Sequence, residues 1–179
     1  MVKLSQAKEL KDTARRMLAE VGVLITDAEY DSMDVADFGH DNCLVEGGQM
    51  VTFFCTERVS AKMLVMLPGQ TLPQHWHLSA NYGKEETLRV ASGTLYMYKD
   101  GEDNMSHGKI PEGREQYYTC RNELVMKPTD QITFMPGEKH WFQGGPEGAV
   151  VYSFANCAID AIDPFEDPTI VRVTKYVEG

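Results

Sequence analysis

From Phe38 onward the chain is cut into short apolar segments by turn-forming residues, and this rhythm restricts the folds open to it. Val51 to Cys55, Lys62 to Leu67, Thr94 to Tyr98, Glu123 to Met126, Gln131 to Phe134 and Ala149 to Phe154 are rich in β-branched or aromatic residues and are separated by Gly, Pro, Asn or Asp. Such segments suit a half-buried pleated surface. Many short strands with a turn signal after each lead to an antiparallel sandwich or barrel, and no βαβ alternation points to a parallel sheet. The polar stretch Lys99 to Glu115, with Gly101, Gly108, Pro111 and Gly113, reads as a long excursion between strands.

The N-terminal region has a different texture. Leu4, Ala7, Leu10, Ala14, Met17, Leu18 and Val21 recur at helical spacing behind a cap at Ser5, with Gly22 where the helix would stop. Thr26 and Glu29 form a capping box that opens a second, shorter helix ending near Met33. The expectation is one domain over 1–179, a helical segment at 1–35 and a β-barrel at 36–179. A chain of this length buries roughly 70% of the surface that its unfolded form exposes, so a hydrophobic core is available.

Charge and cysteine usage remove several function classes. Lys plus Arg number 17 against 27 Asp plus Glu, a formal net charge of -10, which disfavours nucleic acid and anionic membranes as partners. Cys43, Cys55, Cys120 and Cys157 are widely spaced with no C-x-x-C pair and read as reduced, mostly buried thiols. No basic start with an apolar run reads as a leader, and no stretch nears the roughly 20 apolar residues of a spanning helix, so a cytoplasmic location is expected. Walker, G-x-S-x-G and dinucleotide fingerprints are absent.

The chemistry-bearing residues converge on one ion. His75 and His77 are two apart, and on an extended strand both imidazoles project from one face while Trp76 points the other way. Glu86 follows after a loop-prone stretch, and His140 comes directly after the turn Pro136-Gly137-Glu138-Lys139. An isolated H-x-H is more often a pair of hydrogen-bonded histidines. Three neutral imidazoles with a carboxylate, however, suit a borderline divalent cation (Mn, Fe, Co, Ni or Zn) and leave one or two positions open for substrate.

The pattern Gly69, five residues, His75-Trp76-His77, a spacer, Glu86, six residues, Gly93, and later Pro136-Gly137-x-x-His140 resembles the two motifs of the cupin superfamily, with a longer gap between His77 and Glu86 than is usual. Within it, Leu67-Pro68-Gly69-Gln70-Thr71, Gly83-Lys84-Glu85-Glu86-Thr87, Lys139-His140-Trp141-Phe142-Gln143, Gly148-Ala149-Val150-Val151 and Phe165-Glu166-Asp167-Pro168 are similar to stretches of the shorter, bacillus-type D-lyxose isomerases, over about Gly22 to Arg172. This resemblance implies a cupin-type antiparallel β-barrel (jelly roll), manganese held by His75, His77, Glu86 and His140, and a homodimer. It also implies a metal-dependent aldose-ketose isomerase interconverting D-lyxose and D-xylulose, and D-mannose and D-fructose, through an enediol.

Lys84 matches a lysine near the active site of those enzymes, which implies a polarising or proton-shuttling role. Trp141, Phe142 and Gln143 would hold a monosaccharide by an aromatic face and an amide, with core packing as the alternative for the aromatics. Gln74 and Arg89 are further substrate-binding candidates. The resemblance implies a glutamate where Ser153 stands here, so the chain has lost efficient isomerisation, has recruited another group such as Glu85, Glu115 or Asp163 as base, or works on another substrate. An iron-dependent cupin dioxygenase and a non-catalytic sugar-binding cupin remain as rival expectations.

Overall fold

The computed structural model describes residues 1–79, 83–156 and 162–178. The elements are β1 (Val2–Lys3), α1 (Leu4–Glu20), α2 (Asp27–Ser32), β2 (Asp34–Ala36), β3 (Gly48–Cys55), β4 (Ser60–Met66), β5 (Thr71–His75), β6 (Glu86–Lys99), a single 3-10 turn at Glu115–Tyr117, β7 (Asn122–Met126), β8 (Gln131–Phe134), β9 (His140–Ala155) and β10 (Tyr176–Val177).

Two long strands organise the sheet. β6 and β9 run antiparallel from Glu86 opposite Ala155 to Lys99 opposite His140. The other edge of β9 takes β4 and then β5, and the other edge of β6 takes β8 and then β7. β3 and β2 extend the sheet beyond β4. Each long strand therefore serves both layers of an antiparallel barrel, the cupin-type arrangement that the resemblance implied. The bend falls where the register shifts around Ser92 and Gly93, a bulge that re-aims the strand. Gly93 sits at φ 74° with Gly148 at φ 75° across from it, and a Cβ on Gly93 would run into the Gly148 carbonyl.

Strand alternation sorts the side chains. Leu64, Met66, Leu88, Val90, Ala149 and Val151 face the barrel interior with Phe134 and Phe142. Met63, Val65 and Val150 face outward, where Ala14 and Leu18 of α1 cover them. Leu18 is fully buried, worth about 1.5–3 kcal/mol of apolar transfer. The helix begins at Leu4 with Lys3 at its cap and no side-chain cap, so Ser5 lies inside it. The reason is that Val2–Lys3 is extended and paired in parallel with Tyr176–Val177, so the helix starts where that short strand ends. The capping box is formed as expected: the Thr26 side chain accepts from Glu29 N, and Glu29 Oε2 accepts from Thr26 N at 2.7 Å.

The two long strands extend beyond the apolar centres read from sequence, because β6 and β9 continue through polar residues on their solvent face. Among the described residues the cysteines are free and mostly buried as expected, Cys43 and Cys120 inside and Cys55 at the exposed end of β3; Cys157 lies outside the described residues.

Candidate metal centre

Three chain segments deliver the ligand candidates to one end of the barrel. His75 closes β5, Glu86 opens β6 and His140 opens β9, with His75 directly opposite His140 in the ladder. His77 lies just past the end of β5. It is held there by its carbonyl, which accepts from Gly137 N at 2.8 Å, and by Trp76 N, which donates to Pro164 O at 3.1 Å. The imidazole centroids are 5.4 Å apart for His75 and His77, 4.3 Å for His75 and His140, and 5.2 Å for His77 and His140. One donor atom from each of His75, His77, Glu86 and His140 lies within 4.8 Å of the others, so the four could hold a metal ion. Phe134 stacks on His140 at 3.8 Å and fixes that ring from behind.

Hydrogen bonding assigns the ring nitrogens. His75 Nδ1 donates to Pro73 O and His140 Nδ1 to Glu138 O, both at 2.9 Å. A nitrogen bonded to a carbonyl must carry the proton, which leaves Nε2 of both rings as a lone-pair donor. His77 turns Nε2 towards Glu86 Oε2 at 2.9 Å and Nδ1 towards Asp163 Oδ2 at 3.1 Å. His140 Nε2 is buried without a hydrogen-bond partner, a costly position that a cation would relieve. The residues present therefore fit a divalent ion bound by three imidazole nitrogens and one carboxylate.

The electrostatics favour that pattern at His75, His140 and Glu86, whereas at His77 burial is outweighed by the Asp163 and Glu86 carboxylates, which raise the imidazole. Burial, with neighbouring His140 and His77, drives His75 well below the ordinary imidazole range. Burial and His77 push His140 down to about 4. Burial alone would raise Glu86, but the Lys84 ammonium, His77 and the Ser153 hydroxyl outweigh it and hold the carboxyl well below its usual value. Ser153 Oγ donates to Glu86 Oε1 at 2.5 Å, so the serine at the expected glutamate position orients a ligand candidate.

Beside the cluster lies a pocket whose wall combines Phe38, Leu72, Phe142 and Phe165 with Lys62, Lys84, Asp163 and Arg172. Lys84 is buried and donates to Asp163 Oδ2 at 2.8 Å. Of the residues singled out from sequence, Lys84, Phe142 and Asp163 line this pocket together with the ligand candidates His75 and Glu86. Glu85, between two inward residues, is exposed and bonds through its backbone to Asn156. Glu115 is exposed in the 3-10 turn. Arg89 also points outward and donates to Gln131 at 3.0 Å. Gln74 alternates with His75 and is used by Thr119, Glu166 and Cys120 N. Trp141 stacks on Tyr98 outside the barrel at 3.8 Å and donates to Cys120 O, while Gln143 ties Thr71 to Lys109. Each of these outward placements follows from the two-residue strand period next to an inward neighbour. Lys62 and Arg172 were not legible as site residues. Lys62 had a signal, since it shares the inward parity of Leu64 and Met66 on β4 and stands opposite Ser153.

No protein-family model matches the chain. Several solved structures share its fold. The unliganded L-ribose isomerase of Cellulomonas parahominis superposes with a TM-score of 0.78 at 15% identity, covering 94% of both chains. That of Geodermatophilus obscurus gives 0.70 at 16% identity over 88% and 85%. The curated relatives are nearer in sequence. The D-lyxose ketol-isomerase of Cohnella laeviribosi is 41% identical over 169 residues, 93% of either chain. The D-lyxose/D-mannose isomerase of Thermosediminibacter oceani is 40% identical over 176 residues, 97% of either chain. With identity at that level sustained along nearly the whole of both partners, this chain belongs to the D-lyxose ketol-isomerase family of sugar isomerases.

Proposed function

We propose that the protein interconverts D-lyxose and D-xylulose, and D-mannose and D-fructose, using manganese held by His75, His77, Glu86 and His140. The observation that carries this reading is the buried His/Glu cluster, with its unpartnered His140 Nε2, opening onto a pocket that offers both apolar and charged walls. A metal held by these four residues would supply Lewis acidity for moving a proton between adjacent sugar carbons. Lys84, held by Asp163, would polarise a sugar oxygen as the ammonium or, as the neutral amine, shuttle the proton. Phe38, Phe142 and Phe165 cover the apolar carbons and exclude water, and Lys62 and Arg172 take hydroxyls. Glu85 has no part in this chemistry, because its side chain is exposed outside the cluster. Gln74, Arg89, Trp141 and Gln143 support walls rather than touching sugar.

The same reading takes the protein to be a cytoplasmic homodimer. Among the described residues no helix is long and apolar enough to cross a membrane.

Incubation of purified, metal-reconstituted protein with D-lyxose and D-mannose should yield ketose, and His77→Ala should lose both metal content and turnover. Absence of ketose with every divalent metal, alongside metal loss in H77A, would retain the centre and refute the isomerase. Ser153 in place of a glutamate favours one rival, a sugar-binding protein without turnover; calorimetric binding of a pentose with no ketose formed is its signature.

A further inference from the structure

The last described part of the barrel mouth is not a strand of the main sheet. Residues 163–167 lie along the edge of β5 that β9 leaves open: His75 bridges Phe165, Trp76 N donates to Pro164 O, and Glu166 N donates to Gln74 O at 2.9 Å. Side chains anchor this strap on both flanks. Glu166 takes Lys139 Nζ at 2.6 Å, and the buried Asp167 pairs with Arg114 and accepts from Thr169 N at 2.8 Å. The backbone placement leaves Asp163 facing inward with a side chain only 7% exposed. Its Oδ2 stands 3.1 Å from His77 Nδ1, an ion-pair contact rather than an aligned hydrogen bond, and accepts from Lys84 Nζ at 2.8 Å.

Resting on the metal-site reading above, we propose that Asp163 is a positioning residue of the centre, one whose carboxylate fixes the Nδ1-protonated form of His77 and couples that ring to Lys84. The three imidazoles are not supported alike. His75 and His140 give Nδ1 to backbone carbonyls, whereas His77 is the one of these three ligand candidates whose Nδ1 faces a carboxylate. A carboxylate in that place orients the ring, lets Nε2 give up its proton to an incoming cation beside Glu86, and makes the imidazole a stronger electron donor than a carbonyl does. Because Lys84 uses the same oxygen, the ligand and the proton shuttle are set by one side chain, which a segment 77 residues away from Glu86 brings in.

The test compares Asp163→Asn with Glu166→Gln, which loosens the same strap from Lys139 and Gln74 without touching His77. Manganese titration by calorimetry should show D163N binding roughly 10 to 100-fold more weakly than wild type, the usual range for losing such a partner, with E166Q within about twofold. Equal affinity of D163N and wild type, or an equal loss in E166Q, would overturn the proposal. If wild type itself takes up no divalent ion, the metal-site reading fails and the proposal goes with it. A second measurement avoids any folding defect of a variant: imidazole 15N shifts of zinc-loaded wild type should show His77 protonated at Nδ1, and protonation at Nε2 would refute the proposal.

Discussion

Among the described residues histidine lies beside glutamate at His77 and Glu86, His107 and Glu123, and His40 and Glu46, and the first two of these places behave in opposite ways. At the barrel mouth, His75, His77 and His140 converge with Glu86 in a buried cluster where at least one ring nitrogen, His140 Nε2, has no protein partner. Under the long excursion after β6, Glu123 gathers the Tyr98 hydroxyl at 2.7 Å, the His107 ring at 2.6 Å, the Ser106 hydroxyl at 3.1 Å and three backbone N–H groups. The second cluster has the residue types of a site but no capacity left over. Its carboxylate is saturated and staples a long loop to β7. What marks a binding centre is donor atoms that the fold orients and then leaves unsatisfied.

Four measurements would break or sharpen that contrast. The largest effect is expected for His140→Ala: stoichiometric metal uptake should vanish and ketose formation fall by about 10³-fold or more, the scale of losing a Lewis acid worth several kcal/mol. Thermal unfolding of the metal-free variant should change far less than its activity. Glu123→Ala should do the reverse, costing about 3 kcal/mol in denaturant unfolding because Tyr98, Ser106 and His107 donors lose a shared acceptor, while metal content stays at wild-type level. Metal loss in E123A would mean that the two clusters are not independent.

The pH dependence of stability offers a smaller effect. Burial works to raise Glu123, but the bonds from His107, Tyr98 and Ser106 outweigh it and hold the carboxyl at about 2, against an ordinary 4.5. A carboxyl depressed in the folded state contributes stability that is fully present above 4.5 and lost as pH falls through that window towards 2. Acid titration of wild type should therefore show a stability loss over that range which Glu123→Gln reduces. The smallest effect belongs to Ser153→Ala. Removing one hydroxyl donor from Glu86 should weaken metal binding by roughly 1 kcal/mol, a few-fold in dissociation constant, without unfolding. A complete loss of turnover in S153A would give the serine a direct chemical role.

Much of the mouth was legible from order along the chain. His75 and His77 two apart, Glu86 after a looping stretch, and His140 behind Pro136-Gly137 are local signals, because strand period and turn chemistry act over a few residues. The capping box at Thr26 was equally local and formed as read. Ser5 misled, since its role depended on a strand pairing with residues at the far end of the chain. Trp141 takes the core-packing alternative, and Gln143 lies on the same face, because they flank inward-facing residues and neighbours of an inward residue face out. Their partners, Tyr98, Cys120, Thr71 and Lys109, are distant in sequence.

By itself, then, the sequence determined the β texture, the residue types of the candidate metal centre and the family of the chain, through short-range patterns that survive without coordinates. The tertiary structure alone decided which neighbours share the pocket. Lys62, Arg172 and Asp163 reach it from β4 and from the segments after β9, and Glu85 and Arg89 are turned away from it. The physical reason is that a strand specifies two faces but not which one closes over the core; the register of β4 against β9 and of β6 against β8 makes that choice, and those pairings join residues tens of positions apart.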